Sequence, residues 1–302
     1  MSGYLEAQLI ILCLSTIYAY GIFIPAASGQ LNLGAAGFIT LGAYASAWFN
    51  SMDGLGLSAT ASVILAMVFT GIVSFLISFP ILRTKGVYMV LATFAFAEVV
   101  SGFVINFEFL GAAAGMPVDS HASIMVVAPI TLAVIIFSFY FMSTRFGLAL
   151  RSIHDDENVA TLFGIRVRTA KVIAFTVGAM IVSLGGSLYG HHFNYVEAQT
   201  FNVLLSIFIL LYVLMGGTQT AWGPLIGAAF FTIVPEGLRE IAEMLGWHWL
   251  AEGRFILFGA FIVILMVIRP EGIMTRTLQE RLTGSMRKKN NELAAEQPEG
   301  GR

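Results

Sequence analysis

The sequence predicts an all-α integral membrane protein, a polytopic helical bundle. Three observations carry that prediction. Hydrophobic residues make up 57% of the 302 residues and charged residues only 11%, against roughly 25% charged in soluble domains. Charge is confined: no Asp, Glu, Lys or Arg occurs from Ala7 to Met52, and Glu197 alone interrupts Val172 to Pro235. Apolar runs of about 20 residues, enough to cross the ~30 Å hydrocarbon core, recur along the chain. The alternating ~10-residue pattern of a lipid-facing barrel is absent, so helices are left as the structure that satisfies every backbone group in lipid.

The runs mark about nine membrane segments. In order they cover 8–28, 29–50, 57–82, 86–107, 124–143, 172–192, 202–216, 218–235 and 253–268. The first has no basic residue before it and no small-residue cleavage site after it, so it is expected to be a retained span. It contains the single cysteine, Cys13, which has no partner for an internal disulfide and reads as a packing residue. The run 202–216 is short for a full span and suggests a broken or tilted helix.

Basic residues of short loops mark the cytoplasmic side. Arg83 and Lys85 form one group; Arg145, Arg151, Arg166, Arg168 and Lys171 a second; Arg269, Arg276, Arg281, Arg287, Lys288 and Lys289 a third. Even numbers of spans separate the groups, so all three fall on one face. The N-terminus is then expected outside and the C-terminus in the cytoplasm. Glu108, Asp119, His121, Glu236, Glu240 and Glu243 fall outside. Residues 1–284 read as one transmembrane domain, and 285–302 as a polar tail with nothing to bury, expected to be disordered.

The longest polar interruption runs from Thr144 to Lys171. Asp155 is placed to cap a helix start, with Asp156 and Glu157 at the positive end of its dipole. Val159, Leu162 and Phe163 fall at i, i+3 and i+4 as one apolar stripe, and Gly164 suits a left-handed cap. These features predict a short amphipathic helix of about two turns. It either lies on lipid headgroups or docks its stripe into a groove of another protein. The consecutive acids, which anionic lipid would repel, weigh toward docking.

Arg151 to Phe175, RSIHDDENVATLFGIRVRTAKVIAF, resembles the cytoplasmic loop of LivM-type permeases, the membrane subunits of branched-chain amino-acid ABC importers. That loop carries E-x-x-A-x-x-x-G-I, here Glu157, Ala160, Gly164 and Ile165. Further motifs follow the family order. Gly29-Gln30-Leu31-Asn32-Leu33-Gly34 with Leu41-Gly42-Ala43-Tyr44 is similar to G-x-x-S-L-G-H…G-I-G-A-Y. Arg83-Thr84-Lys85-Gly86-Val87-Tyr88 with Glu98 resembles R-x-x-G-x-Y-F…E. Gly216-Gly217, Gly223-Pro224 and Gly227-Ala228 resemble G-G-x-G-x-x-x-G-P-x-x-G-A, and Arg269-Pro270-Glu271-Gly272 resembles R-P-x-G. Asn32 stands where Ser is usual, and Ala35 replaces a His.

The resemblance implies a permease of the bacterial inner membrane importing branched-chain or other hydrophobic amino acids. Relatives carrying urea, amides or aromatic acids share the framework. It implies a LivH-like second permease, two ATP-binding subunits in the cytoplasm and a periplasmic or extracellular substrate-binding protein. The ATPase-coupling helix would comprise Asp155, Asp156, Glu157, Val159, Ala160, Leu162, Phe163 and Gly164. No G-x-x-x-x-G-K-[ST] occurs, so ATP is expected on separate chains. Neither G-x-S-x-G nor H-E-x-x-H occurs, and no catalytic residue, cofactor, metal site or nucleic-acid partner is expected.

Three places are candidates for the translocation pathway. Gln30, Asn32 and Gly34 lie in a glycine-rich stretch that is either a close-packing face or, from Ser28 to Gly34, an unwound segment whose following helix start could hold a substrate carboxylate. Thr218 and Gln219 lie in a second such stretch. Glu98 is an acid about halfway along a span, and such acids face a cavity, a partner or an interface. His191 and His192 end a span and read as interfacial polar residues, with too few neighbours for a metal site. Pro235 to Glu240 reads as the start of a short external helix. The other classes weighed are an ion-coupled transporter or channel, for which Glu98 is the candidate acid, and a membrane enzyme.

Overall fold

The computed structural model describes residues 2–51, 54–244, 254–268 and 272–274. The tail 285–302, the third basic group and the Arg269-Pro270-Glu271 part of the terminator lie outside the described residues, as does the side chain of Glu243. The helices are α1 (Ser2–Ala26), α2 (Ala35–Asn50), α3 (Ala59–Ile81), α4 (Val87–Asn106), α5 (Ile124–Ser143), α6 (Arg145–Asp155), α7 (Glu157–Leu162), α8 (Val167–Phe193), α9 (Val203–Gly216), α10 (Gly223–Met244) and α11 (Arg254–Ile268). Among the described residues α1, α3, α4, α5 and α8 are long and apolar enough to cross a membrane, and α9 is a shorter apolar helix. The chain is therefore an all-α membrane protein in its architecture.

One exception to pure helix is small. Two-residue strands β1 (Met116–Pro117) and β2 (Tyr195–Val196) pair antiparallel, Met116 opposite Val196. Two loops that cover the same end of the bundle satisfy their backbone groups on each other there.

The centre of the bundle is α8, packed against α1, α2 and α3, while α9 and α10 pack on α1 and on each other. Apolar burial does not drive helices together inside lipid, so close approach and polar contacts matter instead. A Cβ on Gly186 of α8 would lie 2.9 Å from the Ile39 Cα of α2, so only glycine admits that crossing. Beside it, Ser187 Oγ donates to the Gly42 carbonyl (3.0 Å) and Ser183 Oγ to Thr70 Oγ1 (2.9 Å).

The helix ends sort into two groups. At one end lie residues 27–34, the α3–α4 turn, α6 and α7, and the α9–α10 break, where Ile273 and Met274 donate to the carbonyls of Met215 and Gly216. Arg83, Lys85, Arg145, Arg151, Arg166, Arg168 and Lys171 all belong to this island end. The opposite, hairpin end holds β1, β2 and the start of α1, where Tyr4 hydrogen-bonds Glu236 and Glu236 pairs with Arg239 at 2.9 Å.

Several boundaries differ from the sequence expectation. The segment 29–50 is helical only from Ala35. The span expected at 172–192 starts at Val167, five residues inside the basic stretch. Pro235 does not start a separate external helix: α10 runs through it to Met244. Its polar far half stays helical with Arg239 bonded to Glu236 one turn back.

Candidate functional site

The first part of the site is residues 27–34, between α1 and α2. It is not helical, and its polar side chains are buried: Gln30 is 0% and Asn32 1% exposed. Irregular backbone at membrane depth survives only where protein satisfies it, and here side chains do so. Leu33 N donates to Thr93 Oγ1 (3.0 Å), Gly34 N to Asn32 Oδ1 (2.7 Å) and Ala36 N to Ser206 Oγ (2.7 Å). Thr93 lies about 9 Å beyond the start of α4 at 1.5 Å per residue, so the segment dips into the bundle rather than lying on its end. In this conformation those three N–H groups are already taken and do not face an open anion site.

Gln30 links this segment to the polar loop. Its Nε2 donates to Ser28 Oγ (2.7 Å) and to the Lys171 carbonyl (3.2 Å) near the start of α8. Among the described residues its buried Oε1 has no hydrogen-bond partner, leaving an acceptor that a moving segment or a ligand can satisfy. The Lys171 ammonium in turn pairs with Glu157 of α7. Polar contacts therefore join α7 to α8 through Glu157 and Lys171, and α8 to the unwound segment through the Lys171 carbonyl and Gln30.

The loop itself contains two helices where one was expected. The cap is Asp156, not Asp155: its Oδ1 accepts from Asn158 N (2.7 Å) and Val159 N (3.1 Å), with extended backbone at φ −158°. Asp155 belongs to the last turn of α6. The signal for α6 was present in Phe146, Leu150 and Ile153 at i, i+4 and i+7 after the cap Thr144, whose Oγ1 accepts from Gly147 N. Gly164 has φ +80°, the left-handed geometry that ends α7. Ala160 is buried at 1%, while Leu162 is 86% and Phe163 82% exposed, with Val159 half-exposed beside them.

The second break lies between α9 and α10. Gly217 has φ +112°, and Thr218 and Gln219 are half-buried in the turn that follows. Glu98 is apart from both breaks. The buried stripe of α4 is Met89, Thr93, Ala97, Val100 and Val104. Glu98 follows Ala97 by one residue, about 100° around the helix, and is exposed on the face turned away from the bundle.

A polar network at the hairpin end was not foreseen. His191, 1% exposed, bonds Ser46 Oγ through Nε2 and Ser120 Oγ through Nδ1, both at 2.7 Å, and Ser120 Oγ donates to Asn50 Oδ1 at 2.9 Å. His191 is thus a structural tie between α8, α2 and the loop before α5, rather than an interfacial residue. His192 Nδ1 donates to the Ala122 carbonyl at 2.9 Å.

Unwound polar backbone inside a bundle of membrane helices, beside a short helix with an exposed apolar tip, defines the class as a polytopic helical membrane protein with broken helices. The family model described as branched-chain amino acid transport system / permease component matches residues 4–269, and the chain belongs to that family. It is 24% identical over 286 residues to the high-affinity branched-chain amino acid transport system permease protein LivM of Escherichia coli, covering 83% of this chain and 65% of that protein. A probable branched-chain amino acid transport permease protein LivM of Methanocaldococcus jannaschii is 24% identical, with 85% and 81% covered. The E. coli permease protein LivH is 22% identical over 152 residues, half of this chain and 46% of LivH. The chain spans less than two thirds of the length of the E. coli and Salmonella LivM proteins. No solved structure matches.

Proposed function

We propose that this chain is one permease subunit of an ATP-driven importer for branched-chain or other hydrophobic amino acids in the bacterial inner membrane. The names of its relatives support the cargo class. Nine helices span the membrane, α1 to α5 and α8 to α11. The basic island end faces the cytoplasm by the positive-inside rule, which puts the N-terminus outside and the C-terminus inside. A second, LivH-like permease completes the pathway, two ATP-binding subunits sit on the island end, and a soluble binding protein delivers cargo to the hairpin end.

One observation carries the reading: Leu162 and Phe163 project almost fully exposed from a capped, anchored helix. Two adjacent exposed apolar side chains at the tip of a polar loop suit a docking element, and α7 is the helix that the ATPases receive. Their movement is passed through Glu157 and Lys171 to Gln30, and so to the unwound segment and α2. Gln30, Asn32 and Gly34, with Thr218 and Gln219, line the moving part of the pathway, and Glu98 faces the second permease across it. The chain itself performs no covalent chemistry.

The test is co-purification and uptake. Tagged chain from its native host should bring down a second permease and an ATP-binding subunit. Vesicles holding the complex should take up leucine only with ATP inside and binding protein outside. A chain that purifies without an ATP-binding subunit, or transports leucine without ATP, would sink the proposal.

A further inference from the structure

At the island end a cavity of about 300 Å³ lies between the α3–α4 turn and the start of α8. Lys85, Arg168, Lys171 and Glu157 line it, with Gly29, Thr84 and Gly86 and the apolar Leu82, Met89 and Val167. Three cations against one carboxylate leave a surplus of two positive charges. Glu157 is spent on Lys171. Among the described residues neither Lys85 nor Arg168 has an ion-pair partner. Like charges gathered at a helix-end cavity repel unless an anion joins them.

The surroundings say which anion. Arg168 lies 5.8 Å over the ring of Phe79, on the outward face of α3. Along that face Ile72, Phe75, Leu76 and Phe79 are all exposed at helical spacing. They form an apolar track that ends at the cavity, at the depth where a membrane helix meets the headgroups. Cations at that level attract anionic lipid.

We propose that this cavity binds the phosphodiester of an anionic phospholipid, held by Lys85 and Arg168, with its acyl chains along the Ile72–Phe79 track. The phosphate also reaches Lys171, and so shares that ammonium with Glu157 of α7. Lipid occupancy thereby sets how firmly α7 is tied to α8. The site assignment itself does not depend on the transport reading.

Native mass spectrometry of the full chain, offered phosphatidylglycerol and phosphatidylcholine in equal amounts, tests it. The wild type should retain phosphatidylglycerol preferentially. K85Q and R168Q should each lower that preference about five-fold, the effect of one basic residue near anionic lipid. R83Q with R145Q, which removes two exposed charges outside the cavity, should leave it unchanged. Lys85 and Arg168 are exposed, so folding should survive. K85R with R168K should keep the preference. Equal retention of the two lipids by the wild type overturns the proposal. So does a loss in the R83Q/R145Q control as large as in the cavity variants, which would mean general surface charge. Displacement of phosphatidylglycerol by millimolar inorganic phosphate would reassign the cavity to a free anion and overturn the lipid assignment.

Discussion

Truncating the tip of α7 should separate docking from folding. Leu162 and Phe163 are 86% and 82% exposed, so the isolated chain gains almost nothing from their side chains. Leu162→Ala and Phe163→Ala should therefore leave the thermal unfolding midpoint of the purified chain nearly unchanged, as for other surface changes. In the complex the same side chains should be buried in the ATPase groove. Full burial of a Leu or Phe side chain is worth about 1.5–3 kcal/mol, so the pair contributes about 3–6 kcal/mol. Even the lower figure is about a 100-fold loss of affinity in the double variant. The assay is titration of labelled ATP-binding subunit onto the permease pair in nanodiscs, run beside thermal denaturation of the chain alone. A change of affinity below about five-fold, with both side chains gone, would show that the tip is not buried and refute the docking argument. A fall in the unfolding midpoint would show that the tip packs on its own bundle.

Asp156→Ala removes the cap of α7, which costs about 1 kcal/mol of helix stability; amide exchange at Asn158 and Val159 should quicken and ATPase association weaken. Gln30→Leu strips the bonds to Ser28 and to the Lys171 carbonyl, a loss of about 1–3 kcal/mol where groups stay buried and unpaired. ATP hydrolysis should continue in that variant while leucine uptake falls, and a parallel fall in both would count against transmission through Gln30. Glu98→Leu should not destabilise the isolated chain, because the residue faces away from the bundle, yet it should depress uptake by the assembled complex; normal uptake would remove Glu98 from the pathway. His191→Phe leaves Ser46 and Ser120 without their shared partner, and should cost about 1–3 kcal/mol, read as faster amide exchange over residues 118–122.

Five spans among the described residues were legible because an apolar run of fixed length has few other uses, and α5 begins and ends where its run does, at Ile124 and Ser143. The starts of α6 and α8 were hidden by their own charge. Arg145 to Asp155 and Val167 to Lys171 read as loop, although both are helical. The face occupied by Glu98 was not legible at all. Lipid and protein core are equally apolar, so α4 carries no amphipathic stripe to show which side is buried. The unwinding of 28–34 was one of two open readings, because glycines serve close packing and broken helices alike. Thr93, which bonds Leu33, and Ser206, which bonds Ala36 at the start of α2, lie 60 and 170 residues along the chain from their partners. The tie through His191 was missed for the same reason, since Ser46 and Ser120 are distant in sequence.

Those sequence separations bear on how the protein is made. The first hairpin, α1 and α2, enters the membrane carrying the polar Ser28, Gln30 and Asn32 between its helices. Thr93 arrives when the fourth span is synthesised, the Lys171 carbonyl with the eighth helix and Ser206 with the ninth. Until then the polar turn between α1 and α2 has only local bonds, such as those from Gln30 to Ser28 and from Gly34 to Asn32. A chain interrupted before residue 206 would hold all the apolar length of its early helices and still lack the Ser206 bond at the start of α2.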